Sequence, residues 1–262
     1  MPISLKKRYA ITFIISVNDE EVFKGNALAS PVFKTGHRHE IIAKRRFSSA
    51  ALAYNQAIEE ARNPVLVFMH QDVYLPEGWD KRFVEEIAFL EKQGRCGVVG
   101  CYGVAMDGNP AGHVYSNGLQ RELGGIRAAD QVQSLDELLL AFRKDTGLRF
   151  DPLMPHFHLF GTDICLESKR RGLKNYAISN ICLHNSLRVK SLPVEYWRCA
   201  EYIRLKWQSE LPVKSCCATI YPKKSRMLCL RAIARLKACR TPKQCMSGSE
   251  RLTIPCQNEI LE

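Results

Sequence analysis

The chain has 262 residues, 46% of them hydrophobic, which is enough to bury one sizeable core and excludes a disordered polypeptide. Its net charge of +11 is uneven: residues 191–262 hold 13 Lys and Arg against 6 Asp and Glu. Such a surplus suits nucleic acid, acidic lipid headgroups or phosphorylated substrates without choosing among them. Eleven cysteines with irregular spacing and no CxxC pair argue against a zinc site or a disulfide framework and for reduced cytoplasmic thiols. Lys6-Lys7-Arg8 before an apolar run, with Ala27-Leu28-Ala29 beyond it, imitates a secretory signal. Asp19, Glu20, Glu21 and Lys24 stand between run and cleavage-like site, so the run reads as a first core strand. No apolar stretch approaches the ~20 residues that span a bilayer, which predicts a soluble or peripheral protein.

Residues 10–17 are almost continuously apolar and rich in β-branched and aromatic types, the pattern of a central parallel strand covered on both faces. A shorter strand is expected at 39–43. Ser48 or Ser49 then caps a helix whose Ala50, Tyr54, Ala57, Ile58 and Ala61 share one stripe, ended by Asn63-Pro64. Residues 65–69 form the next strand, and Trp79, Phe83, Ile87 and Leu90 mark a helix running to Gly94. Strand returns at 97–104. Strands alternating with helices imply an α/β domain with a mostly parallel sheet, in which ligands gather outside the carboxyl ends of strands.

The Gly-, Asn- and charge-rich stretch 106–127 is expected to form a long loop or lid. Leu135, Leu138, Leu139 and Phe142 fit helical spacing, yet 132–135 and 138–142 can equally pair as a hairpin around Asp136-Glu137. A helix opens at Gly161-Thr162-Asp163 and stops at Gly172; a strand over 176–183 ends in His184-Asn185-Ser186. Beyond Leu192 the pattern turns helical and basic, broken by Pro193, Pro212 and Pro222. The expected division is an α/β domain over 1–190 and a basic, Cys-containing helical extension over 191–262.

Chemistry concentrates at strand ends. His70 and Asp72 sit at i and i+2, so in an extended segment both side chains leave on one side, where a divalent cation can bind; alternatively Asp72 starts the turn before Pro76 and His70 packs at the sheet rim. Two HxH pairs, His37/His39 and His156/His158, are more ambiguous. Asp163 is either an N-cap or a carboxylate presented to a cleft. No GxGxxG, GxxxxGK[ST] or GxSxG motif is present, which removes the simplest routes to a dehydrogenase, kinase or serine hydrolase.

The ordered series ITFIISVND, YNQA, HQDVYLPEGW, FHLFGTD and CLHNS resembles the family 2 type of nucleotide-sugar glycosyltransferase, and more narrowly the branch named for a streptomycin-biosynthesis protein. The resemblance covers about residues 10–187. It implies a GT-A fold and transfer of a sugar from a nucleoside-diphosphate donor to a hydroxyl acceptor in a surface polysaccharide, a lipopolysaccharide or a glycosylated metabolite. His70-Gln71-Asp72 stands where the family places Asp-x-Asp, which makes Asp72 and His70, with His184, the ligands of Mn²⁺ or Mg²⁺. Asp163 matches the general base of inverting members. Ser16, Asn18, Asn55 and Gln71 fall at donor-nucleotide positions, Lys44 and Arg45 are placed to meet the diphosphate, and His158 and Trp79 are expected on the acceptor side or in the cleft. The resemblance also favours the hairpin across 132–142. A cytoplasmic protein follows, with two readings of the basic segment 226–240: a peripheral helix on the anionic inner membrane face beside a lipid-linked acceptor, or a helix packed on the catalytic domain. A nucleic-acid-binding protein using the basic tail is the alternative from another class.

Overall fold

The computed structural model describes residues 10–34, 39–125, 129–186 and 191–240. Lys6, Lys7, Arg8, His37 and the end of the basic tail lie outside the described residues. The centre is three parallel strands. β1 (Ile11–Val17) pairs with β2 (Glu40–Arg45) on one side and β3 (Val65–His70) on the other. Strand residues alternate between faces, and the core divides accordingly. Ile14, Leu66 and Phe68 join one cluster, while Phe13, Ile15, Val67 and Met69 join the other. The first layer is completed by α2 (Ala50–Glu60), capped by Ser49, and the second by the short α1 (Glu20–Gly25), capped by Asp19, and by α3 (Trp79–Lys92).

The rest of the sheet departs from the expectation of a mostly parallel arrangement. With β4 (Val73–Tyr74), β5 (Cys96–Gly100), β6 (Tyr102–Ala105), β7 (Pro110–Ser116), β8 (Arg121–Gly124), β9 (Asp130–Leu135), β10 (Leu139–Arg143), β11 (Lys174–Ala177) and β12 (Cys182–His184), the order is β2-β1-β3-β10-β5-β11-β9-β6-β7-β12-β4, with β8 on β7. Among the described residues of this sheet, parallel pairing is confined to β2-β1-β3, β5-β11 and β7-β12. The sheet is mixed.

Three element expectations are corrected. The loop predicted for 106–127 contains the hairpin β7-β8, in register from Ser116 opposite Arg121 to His113 opposite Gly124. Its glycines serve close strand crossing: Gly112 has φ +92°, and a Cβ there would lie 2.2 Å from the Cys101 carbonyl oxygen. The segments 132–135 and 138–142 are both strands but do not pair with each other, since β9 lies between β6 and β11 while β10 lies between β3 and β5. Asp136-Glu137 lacks the glycine or asparagine of a tight hairpin turn, and the Asp136 amide donates to Tyr102 O instead. Finally, the strands predicted at 97–104 and 176–183 each break in two, at Cys101 and at 178–181.

Helix α4 (Phe160–Arg170) packs on the first core layer together with α5 (Val194–Lys206). Tyr196, Trp197, Ile203, Trp207, Val213, Ile220 and Met227 all belong to that cluster, so the core continues past the charge change near residue 190. A two-stranded ribbon, β13 (Val213–Lys214) with β14 (Thr219–Ile220), leads to α6 (Lys224–Arg240). Among the described residues no helix is long and apolar enough to cross a membrane.

Asp163 ties these helices together. Its carboxylate is 3% exposed, and its Oδ1 accepts from Lys206 Nζ at 2.8 Å and Trp207 Nε1 at 2.7 Å. Lys206 Nζ also meets Asp151 Oδ2 at 2.6 Å, and Tyr202 donates to that same oxygen. Burial pushes the Asp163 carboxyl above its ordinary range despite Lys206 and Trp207. Asp163 does not cap α4, and both of its oxygens are engaged by the brace to α5. We expect Asp163→Ala to lower unfolding free energy by about 2–4 kcal/mol, because a buried ion pair is broken and an indole N–H loses its acceptor. Asp163→Asn, which keeps an acceptor for Trp207, should cost less. Denaturant unfolding measures both; a change below about 0.5 kcal/mol in Asp163→Ala would contradict the brace.

Candidate functional site

The parallel register sets the site. Ser16 lies opposite both Lys44 and His70, and Val17 opposite Arg45, so the carboxyl ends of β1, β2 and β3 finish level. Backbone beyond that edge leaves the core, and side chains there face a cavity of about 760 Å³. Ser16, Asn18 and Tyr54 lie on its lining with Lys44, Arg45, Arg46 and Phe47; His70, Gln71 and Asp72 form a second wall, and Phe157, His158 and Phe160 a third.

His70 ends β3, and Asp72 follows at the position that returns its side chain to the same side. Strand β12 supplies the third member. His184 pairs with Val73 of β4, and the Asn185 amide donates to Asp72 O at 2.9 Å, which carries the His184 ring to the carboxylate. His184 Nε2 is 3.5 Å and His70 Nδ1 3.9 Å from Asp72 Oδ1, and the three ligand atoms all lie within 4.8 Å of one another. Two imidazole nitrogens and a carboxylate oxygen at this spacing suit one divalent ion of the Mn²⁺ type; Mg²⁺, which favours an all-oxygen shell, fits this donor set less well.

The charge states of His70 and Asp72 suit that use, whereas His184 must give up a proton to serve as a ligand. Desolvation lowers the His70 pKa, with the Asp72 charge opposing it, so this ring is neutral at neutral pH. Burial acts to raise the Asp72 carboxyl, but its hydrogen bond and charge interaction with His184 hold it below the ordinary value. Burial lowers His184, and Asp72 more than compensates, leaving it above the usual imidazole range.

Gln71, on the same wall, is engaged by the backbone of the β1 exit. Its Oε1 accepts the amides of Asn18 and Asp19, and its Nε2 donates to Asn18 Oδ1, locking the exit of β1 against the exit of β3. Of the cations, Lys44 is paired with Glu60, and Arg45 binds Glu20 through two nitrogens. Arg46 is exposed at the cavity, its backbone in the left-handed region at φ 62°, and no ion pair is present for it among the described residues. A non-glycine residue held there is uncommon and re-aims the chain at the cavity wall. Burial pushes the Tyr54 hydroxyl up to about 12, so it is a neutral donor.

Two expected site residues are placed elsewhere. Asn55 is not on the lining: its side chain accepts from the Phe150 amide and donates to the Phe150 carbonyl, clamping α2 to the segment before α4. Trp79 is fully buried and stacked on Phe83 with ring centroids 4.6 Å apart, because the apolar stripe of α3 faces the core. Asp163 is likewise absent from the cavity lining. His158 does line the cavity, packed edge-on to Tyr196 at 6.0 Å.

Sequence reasoning missed Phe47 and Phe157, which carry no periodic signal, and the acidic pair after β9. Asp136 lies close enough for its charge to act on His70, His158 and His184. Glu137 accepts the amides of Gly161 and Leu159 at the start of α4, where no side-chain cap is present, and burial together with Asp136 raises its pKa to about 8. The adjacent acids at a predicted turn were the available clue.

The fold is that of GT-A glycosyltransferases. The structure of GalNAc-T7 with UDP, GalNAc and Mn²⁺ aligns at TM-score 0.51 and 11% identity over 76% of this chain, which spans about half (48%) of that chain. Two other solved structures align less closely. S. aureus TarS gives TM-score 0.48 and 10% identity over 75% of this chain and 39% of that one; the mannosyltransferase PcManGT from Pyrobaculum calidifontis, in complex with GDP-Man and Mn²⁺, gives 0.46 and 11% over 90% and 74%. A comparison with curated protein sequences finds no match. Residues 12–198 match the family described as glycosyltransferase like family, and on that match, joined to a mixed sheet whose aligned strand ends carry the site, the chain belongs to this family.

Proposed function

We propose that the chain is a glycosyltransferase that takes a sugar from a nucleoside diphosphate and passes it to a hydroxyl acceptor, assisted by Mn²⁺ held on Asp72, His70 and His184. The observation that carries this reading is the convergence of one carboxylate and two imidazoles at the cavity edge formed by β1, β2 and β3. The GalNAc-T7 structure, which shares the fold, holds UDP and Mn²⁺ together. Motifs YNQA, HQDV and FHLFGTD support placement in the streptomycin-biosynthesis-protein-like branch. When bound, the ion neutralises charge that develops on the leaving diphosphate.

The chain's own residues do the rest. Arg46 offers an uncommitted guanidinium for two phosphate oxygens, whereas Lys44 and Arg45 mainly hold the wall through Glu60 and Glu20. Asn18, fixed by Gln71, and the Ser16 and Tyr54 hydroxyls give the donor a pre-set polar surface. Phe157 and His158 close the opposite wall, where an acceptor would approach. Acceptor deprotonation by Asp163 has no place in this proposal, because that carboxylate faces α5.

Asp72→Asn should reduce sugar transfer by roughly 10²–10³-fold or more while leaving the circular dichroism of the folded protein unchanged. Arg46→Gln should raise donor KM about tenfold, equivalent to about 1.4 kcal/mol, with a smaller effect on kcat. Wild-type transfer by Asp72→Asn would refute the proposed metal role. Metal binding should also depend on pH with a defined sign. In the metal-free protein the raised His184 pKa contributes stability that is full below the unfolded value near ~6.5 and is lost as pH rises through the folded value. An incoming ion must displace that proton, so Mn²⁺ should raise Tm more at pH 8 than at pH 6. Equal shifts at both pH values would show that His184 is not a ligand.

A further inference from the structure

We infer that the outward face of α6 is a docking surface for an anionic lipid bilayer. This goes beyond the sugar-transfer reading and does not depend on it. Residues 211–249 contain nine Lys and Arg and no Asp or Glu, so the sequence around α6 carries one sign of charge. The helix is held from one side: Met227 is 6% exposed, and Leu230 and Ala234 pack against the first core layer. At 3.6 residues per turn, Leu228, Cys229, Ala232 and Ile233 then occupy the opposite side. They do so as exposed residues, Leu228 at 56% and Ile233 at 42%.

Cations flank this apolar strip on both shoulders. Lys224 and Arg231 lie along one edge and Arg226 along the other, with Lys223 at the start of the helix. The Arg226 guanidinium sits 3.7 Å above the Tyr221 ring, so its charge is carried beside the strip on an amphipathic aromatic side chain. An apolar band with cations on both sides matches a helix lying in the plane of a membrane interface. The band enters the acyl boundary while the cations reach the headgroup phosphates and carboxylates. Nucleic acid would use the same cations but gives no role to exposed Leu228 and Ile233 between them, since backbone phosphate contacts are polar and sequence-independent. The complementarity therefore favours lipid.

The test uses the full chain and vesicles of phosphatidylcholine alone or with 30% phosphatidylglycerol. Wild type should sediment with the anionic vesicles at least tenfold more than with neutral ones, less so as salt rises. Leu228→Glu/Ile233→Glu, at two solvent-facing positions, should lose most of that sedimentation while keeping its circular dichroism and Tm. Arg226→Gln/Arg231→Gln should weaken it as well. Equal sedimentation with both vesicle types, or an unaffected Leu228→Glu/Ile233→Glu variant, overturns the proposal. So does tight binding of a labelled oligonucleotide that ignores the Leu228→Glu/Ile233→Glu change while anionic vesicles fail to bind, an outcome that assigns the charge to nucleic acid.

Discussion

The structure depends on the in-register ending of three parallel strands. Because Ser16, Lys44 and His70 face one another across β1, β2 and β3, the chain leaves the core at one level and three connections must turn over the same edge. That edge cannot be filled by further core, since the apolar runs stop there. It is polar by construction, and Gln71 shows the consequence locally: by bonding to the Asn18 and Asp19 amides, it satisfies backbone groups that the ending sheet would otherwise leave open.

Completion of the site requires a distant part of the chain. Strand β12 joins β7 in parallel and β4 in antiparallel fashion, which sets His184 beside Asp72 although more than a hundred residues separate them. The antiparallel pairing of β12 with β4 is what brings His184 to this position. The segment after β9 also contributes: Asp136 acts by charge on both histidines, and Glu137 accepts amides at the start of α4. One carboxylate, Asp72, stays ionised at the cavity while a second, Glu137, is driven toward its neutral form by burial. Environments that separate titratable groups in this way are typical of chemically active clefts.

Much of this was legible in the sequence, for reasons that differ between elements. The apolar strands β1 and β3 and the stripes of α2 and α3 are strong local signals, and HQD stood out because a buried-looking strand ended in ionisable residues. The hairpin expected across 132–142 failed because strand pairing is non-local: composition shows that 132–135 and 138–142 are strands but not which neighbours they take. The stretch 106–127 was misread because glycines that permit close strand crossing look like glycines that make loops. Asn55, Trp79 and Asp163 show a third limit. Each is a polar or amphipathic residue at a plausible site position, yet the Phe150 backbone and the Lys206-Trp207 pair engage Asn55 and Asp163, and Trp79 is buried in the core against the Phe83 ring. In the sequence Arg46 is simply the third cation of Lys44-Arg45-Arg46; what sets it apart, a left-handed backbone and no ion pair among the described residues, is conformational.

In the proposed site two imidazoles and one carboxylate grip a single divalent ion at the strand ends, and magnetic resonance of bound Mn²⁺ reads those ligands directly. The account predicts nitrogen couplings from two histidines, one lost in His70→Ala and one in His184→Ala, with phosphorus couplings appearing when a nucleoside diphosphate is added. A Mn²⁺ spectrum showing only water and oxygen ligands in the folded protein would contradict it.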